Sequence, residues 1–221
     1  MTELAVVTGA QGALGQAVVA ALRAQGWTVA ALDRVANEAG DDGVHPMEVD
    51  LTDRAAVHEA WARVDQLGRA GALVNVAGGW APGDIGAIDE DNLAGQIHIN
   101  VSTALWSCQA AAPRLTAAGG AIVNVGSRSA LTGTDPIAYS LSKGAIVRLT
   151  SLLSEQFKES RVRVNAVLPA LLDTPANRAN MPSGAMVKAV PVDAVAKVIA
   201  FLCGPDGWPV NGAIIPVYGF A

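Results

Sequence analysis

Seven short, largely apolar segments alternate with helical patterns along the chain, and this alternation constrains the fold more than any other feature. The segments lie at residues 4–7, 28–32, 44–49, 72–75, 121–125, 162–167 and 213–217. Apolar strands without polar alternation are typical of a parallel sheet buried on both faces. Because helices alternate with the strands, we predict an α/β fold, a doubly wound parallel sheet of about seven strands with helices on both faces.

The composition is that of one soluble domain, residues 1–221. Hydrophobic residues make up 51% of the chain and charged residues 16%, which supplies a sizeable core. A net charge of -5 argues against binding to nucleic acid or to a membrane surface. With no membrane-spanning run and no leader pattern, we expect a cytoplasmic protein. Cys108 and Cys203 lack metal-ligand spacing, so we expect buried thiols and no metal site.

A glycine-rich turn follows the first predicted strand and opens a helix. Residues 8–15 read Thr-Gly-Ala-Gln-Gly-Ala-Leu-Gly. Glycines permit a tight turn and let the backbone approach a pyrophosphate at the positive end of the helix. In this context the motif predicts a Rossmann-type dinucleotide site, although a plain strand-to-helix turn is the alternative. The predicted contacts are Gly9, Gln11, Gly12, Ala13, Leu14 and Gly15.

Acidic residues follow the second and third predicted strands, where such a fold places the adenosine of the cofactor. Asp33 ends the second strand about 18 residues after the turn. A carboxylate there accepts from the ribose 2′-hydroxyl and repels a 2′-phosphate, so we expect NAD(H) to be preferred. Arg34 could hold that phosphate instead, which keeps NADP(H) possible. Asp50 and Leu51 follow the third strand and are available to the adenine.

Tyr139 and Lys143 lie four residues apart at the start of a predicted long helix. Residues with this spacing share one helix face, so the phenol and the ammonium are neighbours. A nearby cation favours the phenolate and lowers the pKa of the phenol from about 10 towards the range of a proton-transfer catalyst. The pair therefore indicates acid–base catalysis, although the spacing also arises when a tyrosine and a lysine merely share a helix.

Two further segments are candidates for contact with a substrate. Trp80 follows the fourth strand in a loop with Pro82 and Gly83, where it either covers a site or packs against the protein. Residues 170–191 contain three prolines and no sustained helical period. We predict a long loop there that covers the substrate.

Together these motifs resemble the short-chain dehydrogenase/reductase family over essentially the whole chain. The glycine turn is similar to that of the family, and Asn75, Ala77 and Gly78 match its Asn-x-Ala-Gly segment. Pro169 and Thr174 match the segment that holds the nicotinamide carboxamide. Four positions match the catalytic tetrad of the family: Asn100, Ser127, Tyr139 and Lys143.

Three features depart from the family pattern. Ala13 stands where the second glycine is usual, and Ala170 stands where a glycine usually follows the proline. The spacing from Ser127 to Tyr139 is one residue shorter than usual, so either Ser127 or Ser129 is the hydroxyl that holds the substrate.

The resemblance implies an NAD(P)(H)-dependent oxidoreductase that transfers hydride between the nicotinamide and a carbonyl or alcohol. Tyr139 would be the general acid/base, Lys143 would lower the pKa of its phenol, and Ser127 would hold the carbonyl oxygen. Asn100 would anchor a water that links Lys143 to solvent. The implied partners are a small carbonyl or alcohol substrate and further copies of the chain, in a homodimer or homotetramer.

Two alternatives stay open. Residues 12–15, 76–80, 172–175, 177–178 and 181–182 look like those of dihydropteridine reductases, which reduce a quinonoid pterin and lack the serine and asparagine of the tetrad. The alternative from another class is a non-catalytic NAD(P)-binding regulatory protein. Such a protein needs no proton donor, so the intact Tyr139–Lys143 pair argues against it.

Overall fold

The computed structural model describes residues 3–36, 43–133 and 136–220, which contain nine strands and eight α-helices. The strands are β1 (Leu4–Thr8), β2 (Thr28–Asp33), β3 (Val44–Glu48), β4 (Ala70–Asn75), β5 (Gly120–Val125), β6 (Val162–Pro169), β7 (Leu172–Asp173), β8 (Val190–Pro191) and β9 (Ile214–Val217). The helices are α1 (Ala13–Ala24), α2 (Arg54–Leu67), α3 (Glu90–Ile97), α4 (Thr103–Thr116), α5 (Ile137–Gln156), α6 (Pro175–Asn180), α7 (Ser183–Met186) and α8 (Val192–Cys203).

Seven strands form one sheet in the order β3–β2–β1–β4–β5–β6–β9, and each neighbouring pair is parallel. This confirms the predicted doubly wound sheet, and every predicted strand lies within two residues of its observed ends. The strand order reverses between β1 and β4. At such a reversal the loops that follow the two strands diverge, so a crevice opens beyond their carboxyl ends.

Side chains of β1 alternate between two apolar cores, one on each face of the sheet. Leu4 and Val6 lie in the core that α2 and α4 complete, and Ala5 and Val7 lie in the core that α1 and α8 complete. Burying a Leu or Val side chain contributes about 1.5–3 kcal/mol relative to leaving it exposed. Burial on both faces explains why this strand is apolar throughout, and it anchors the turn that follows.

The predicted helix around Asn100 differs from the observed one. The sequence predicts a single helix from about residue 92, whereas α3 begins at Glu90 and a π-helical turn, His98–Ser102, joins it to α4. The turn contains Asn100, a residue that disfavours regular helix because its side chain competes for backbone hydrogen bonds. Single π-helical turns inside α-helices are frequent at functional sites.

The segment 170–191 is more ordered than the predicted loop. It contains α6, α7 and a two-stranded sheet of β7 and β8. Thr174 caps α6 through its hydroxyl, and Pro175 occupies the first helical position, where its missing N–H costs nothing. Because α6 and α7 have six and four residues, they are too short to produce a helical period in the sequence.

In the part of the chain that the structure describes, no helix is long and apolar enough to cross a membrane. The same residues contain no group of three or more His, Cys, Asp or Glu side chains placed to hold a metal ion. Cys108 and Cys203 are buried free thiols, as expected. Burial raises the pKa of both thiols to about 12, so neither is a nucleophile at neutral pH.

Candidate active site

A cleft of about 860 Å³ opens beyond the carboxyl ends of the strands, where the strand order reverses. Most of the predicted site residues line it, and they come from both halves of the chain. These are Gly9, Gln11, Gly12, Ala13, Leu14, Gly15, Asp33, Arg34, Asp50, Leu51, Ala77, Gly78, Ser127, Tyr139, Lys143, Pro169 and Thr174. Asn75 and Asn100 do not line the cleft.

The glycine turn requires glycine at two positions for steric reasons. Gly9 has a φ of +66°, and a Cβ there would lie 2.7 Å from the backbone N and Cα of Ala77. A Cβ at Gly15 would lie 2.1 Å from the carbonyl oxygen of Gly9. Gly12 is the N-cap of α1 and makes no side-chain capping bond, so no capping side chain covers the positive end of the helix. The turn therefore fits the pyrophosphate of a dinucleotide.

The carboxylate of Asp33 is fixed at the end of β2. Its Oδ2 accepts from the backbone N–H of Gln11 at 2.9 Å, and its Oδ1 accepts from the backbone N–H of Arg34 at 2.7 Å. Asp50 lies at the same end of the cleft, and its carboxylate accepts from the N–H and hydroxyl of Thr52. These hydrogen bonds, with smaller contributions from Arg34 and His98, lower the pKa of Asp50. The two carboxylates are therefore held as hydrogen-bond acceptors at this end of the cleft.

The side chain of Asn75, a predicted cofactor contact, lies beneath the cleft rather than in its lining. The residue is buried, and its Nδ2 donates to Asn124 Oδ1 at 2.9 Å and to Cys108 Sγ at 3.3 Å. Asn124 in turn donates to the hydroxyl of Thr150 at 2.9 Å. The side chain of Asn75 therefore links β4 to β5 and α4 beneath the cleft. Its neighbours Ala77 and Gly78 supply the backbone that faces the cleft.

Lys143 lies beside Tyr139 on one face of α5, as the spacing predicts. Its Nζ lies 6.0 Å from the centroid of the Tyr139 ring and donates to the Val125 carbonyl oxygen at 3.0 Å. The side chain is only 5% exposed, and burial lowers the pKa of its ammonium to about 8. The group is therefore still largely a cation at pH 7, next to the phenol.

Of the two candidate serines, Ser127 lines the cleft and Ser129 lies buried behind it. Their hydroxyl oxygens are 2.6 Å apart, and Ser127 Oγ also accepts from the backbone N–H of Ser129 at 3.2 Å. Ser127 thus begins a short 3₁₀ helix, Arg128–Ala130, which fixes its hydroxyl after β5. Of the two serines, Ser127 therefore lies at the surface of the cleft, with Ser129 as its neighbour.

Asn100 lies close to the Tyr139–Lys143 pair, and its side chain is held by hydrogen bonds to the protein. The residue is 1% exposed. Its Oδ1 accepts from the backbone N–H of Gly79 at 3.0 Å, and its Nδ2 donates to the Gly79 carbonyl at 2.9 Å and to Ser142 Oγ at 3.1 Å. The side chain therefore connects the turn after β4 to α5.

The loop that carries Trp80 is held on two sides. Asn92 Nδ2 donates to the Pro82 carbonyl at 2.8 Å, and the N–H of Ile137 in α5 donates to the Gly83 carbonyl at 3.1 Å. Trp80 itself lines the cleft and is 57% exposed. It is therefore placed as an accessible aromatic surface rather than as a core residue.

A family model described as short chain dehydrogenase matches residues 3–183 of this chain. The chain belongs to the short-chain dehydrogenase/reductase family. Members of this family are nicotinamide-dependent oxidoreductases, and this protein is an oxidoreductase of that type. The fold, the glycine turn and the position of Tyr139 and Lys143 agree with that assignment.

Similar proteins match this chain over nearly its full length. Meso-2,3-butanediol dehydrogenase from Serratia marcescens is 30% identical, with 99% of this chain and 94% of that protein covered. L-xylulose reductase from Cavia porcellus is 31% identical, with 97% and 94% covered. A solved structure of a short-chain dehydrogenase/reductase from Serratia marcescens is 26% identical, with a TM-score of 0.89 and 99% and 97% covered.

The departures of this short-chain dehydrogenase/reductase from the family pattern are accommodated locally. Ala13 is the first residue of α1, one position after the glycine that begins the helix. Ala170 lines the cleft, and its N–H donates to the Val217 carbonyl at 3.4 Å.

The sequence did not predict a role for Ser142 and Gln96, two buried polar residues that contact Asn100. The one available signal was a serine placed directly before Lys143.

Proposed function

We propose that this protein transfers hydride between NAD(H) and the carbonyl or alcohol group of a small molecule, with Tyr139 as general acid/base. The observation that carries the proposal is that Tyr139, Lys143 and Ser127 line the same cleft as the glycine turn, with Lys143 beside the Tyr139 ring. The names of two relatives, a butanediol dehydrogenase and a xylulose reductase, support carbonyl/alcohol chemistry.

A bound nicotinamide would supply or accept the hydride. In the direction of reduction, Tyr139 gives its phenolic proton to the carbonyl oxygen of the substrate. In the direction of oxidation, the phenolate of Tyr139 takes the proton of the substrate hydroxyl. The buried ammonium of Lys143 stabilises the phenolate that results. Ser127 donates a hydrogen bond to the same carbonyl oxygen while negative charge develops there.

NAD(H) is the proposed cofactor because the Asp33 carboxylate is fixed by two backbone N–H groups. It cannot turn away from a 2′-phosphate without losing both bonds, and a like-charge contact of this kind costs several kcal/mol. The proposal is checked by comparing kcat/KM for NADH and NADPH in the wild type and in Asp33→Ala. A wild type that prefers NADPH would contradict it.

Replacing Tyr139 by Phe tests the acid/base assignment. The variant keeps the ring and loses the proton, so turnover should fall roughly 100- to 10,000-fold. The affinity for NADH, measured by fluorescence titration, should change little. Tyr218→Phe is the matched control, because Tyr218 is the other tyrosine of the chain and does not line the cleft. A Tyr139→Phe variant that keeps a third of the wild-type turnover would refute the assignment.

Reduction of a quinonoid pterin is the second candidate function, and the exposed ring of Trp80 in the cleft favours it. A flat conjugated ring stacks on an aromatic surface and has less need of a serine hydroxyl. For a carbonyl substrate, Ser127→Ala should lower kcat roughly tenfold to a thousandfold and Trp80→Ala should mainly raise KM. For a pterin, Trp80→Ala should be severe and Ser127→Ala nearly silent. Measuring both variants on both substrate classes separates the two functions.

We also propose that the protein is a cytoplasmic homodimer or homotetramer. Leu141 and Leu152 on α5 and Leu105 on α4 are exposed leucines, and apolar side chains of this kind support self-association. Light scattering coupled to size-exclusion chromatography measures the mass of the assembly. A monomer at micromolar concentration would contradict the proposal.

A further inference from the structure

Ser142 is a fully buried serine in α5, one position before Lys143. Its hydroxyl donates to the carbonyl oxygen of Tyr139, three residues earlier, at 2.7 Å. Ser142 Oγ in turn accepts from Asn100 Nδ2 at 3.1 Å. The hydroxyl therefore joins the helical turn that carries the tyrosine and the lysine to the π-helical turn that carries Asn100.

Asn100 carries this link on to the turn after β4. Both polar atoms of its side chain bond the backbone of Gly79, one to the N–H and one to the carbonyl. Space in this region is tight, because a Cβ at Gly78 would lie 2.6 Å from Asn100 Oδ1 and 3.2 Å from Lys143 Nζ. A continuous set of hydrogen bonds thus runs from Gly79 through Asn100 and Ser142 to the backbone of Tyr139.

We propose that Ser142 is a positioning residue that acts through Asn100 and sets the distance between the turn after β4 and the Tyr139–Lys143 pair. The inference rests on the proposed role of that pair in proton transfer. Without the hydroxyl, Asn100 Nδ2 keeps two acceptors, the carbonyl of Gly79 and Gln96 Oε1, which lies 3.3 Å away. The amide stays satisfied, but its contact with α5 is lost.

The expected consequence of Ser142→Ala is therefore a loss of alignment rather than of folding. We expect kcat to fall roughly tenfold, because small displacements of positioned groups lower the rate of the chemical step. The affinity for NADH should stay within about twofold, and the melting temperature should fall by no more than about 4 °C. Ser154→Ala is the matched control. Ser154 is a second buried serine of α5, and its hydroxyl also donates three residues back, to Ser151, but it is remote from Asn100.

A double-mutant cycle distinguishes positioning from a general structural effect. If Ser142 acts through Asn100, Ser142→Ala should have no further effect on kcat in an Asn100→Ala background. Additive losses in the double variant would overturn the proposal. So would a Ser142→Ala variant with the kcat of the wild type.

Amide hydrogen exchange provides a test that does not depend on the substrate. Asn100 Oδ1 accepts from the Gly79 N–H, so Ser142→Ala should increase exchange at Gly79 several-fold, whereas Ser154→Ala should not. Unchanged exchange at Gly79 in Ser142→Ala would overturn the positioning role. A wild type that turns over no carbonyl compound would instead refute the proposed function, and the exchange result would still decide the role of Ser142.

Discussion

Lys143→Met should make the protein more stable at pH 7 while removing its activity. The ammonium is buried, and its pKa lies at about 8 instead of the ordinary 10.5. At about 1.36 kcal/mol per pKa unit, keeping the cation buried costs about 3 kcal/mol at pH 7. Methionine has a similar length and no charge, but it loses the hydrogen bond to the Val125 carbonyl, which is worth about 1 kcal/mol. The net gain is about 2 kcal/mol, or roughly 4–8 °C in Tm for a chain of this size.

The pH dependence of that gain is the distinctive part of the prediction. The pKa of Lys143 is lower in the folded state than in the unfolded state, so between about pH 8 and 10.5 the unfolded wild type binds more protons. The contribution of Lys143 to the free energy of unfolding of the wild type therefore rises with pH across that window. The Lys143→Met variant shows no such rise. The variant should therefore show its full gain in free energy of unfolding below about pH 8. That gain should vanish by about pH 10.5, where the lost hydrogen bond to the Val125 carbonyl is the remaining difference from the wild type.

Urea unfolding at pH 7 and at pH 10 measures the difference between variant and wild type. Lys197→Met is the control, because Lys197 is an exposed lysine of α8, where a substitution changes stability by less than about 0.5 kcal/mol. Turnover of Lys143→Met should fall at least about 100-fold, in line with the loss of acid–base catalysis. A variant that is less stable than the wild type at pH 7, or a stability difference that is the same at both pH values, would refute the reasoning.

Three further perturbations have definite expected outcomes. Gly78→Ala places a methyl group 2.6 Å from Asn100 Oδ1 and should lower kcat at least about tenfold, whereas Gly95→Ala, which meets open space, should leave kcat unchanged in the same assay. Arg163→Met removes a guanidinium that donates to carbonyl oxygens at the end of α8, and should cost about 2–4 kcal/mol in urea unfolding at pH 7. Asn92→Ala removes the hydrogen bond to the Pro82 carbonyl in the Trp80 loop, so steady-state kinetics should show KM raised roughly 3- to 10-fold at constant kcat. An equal fall in kcat would instead show that this loop acts in the chemical step.

The parts of the molecule that the sequence predicted correctly depend on local chemistry. Apolar segments identify strands, and the glycine turn needs a positive φ at Gly9, which few other residues adopt. The spacing of Tyr139 and Lys143 is a property of one helix, so their proximity follows from the sequence. These features required no knowledge of which distant segments become neighbours.

The parts of the molecule that the sequence did not predict depend on the register between distant segments. Asn75 pairs with Asn124 across β4 and β5, and only that register turns the Asn75 side chain away from the cleft. Ser142 meets Asn100 because a π-helical turn brings that residue against α5, and the sequence predicted a regular helix there. Local patterns carry no information about such partners, since hydrogen bonds between elements form only after the sheet and helices have packed.

Hydrogen bonds within the segment 170–191 join its first and last residues. Arg178 holds Asp173 with two hydrogen bonds, Asn177 Nδ2 donates to the Leu172 carbonyl, and the Val190 N–H donates to the Leu171 carbonyl. By contrast, the turns after β1 and β4 pack closely together through their backbones, at Gly9 and Ala77. We therefore expect that exchanging this segment as a unit, with Thr174 kept for the cofactor, changes the molecule that is reduced while the nucleotide half of the cleft stays the same.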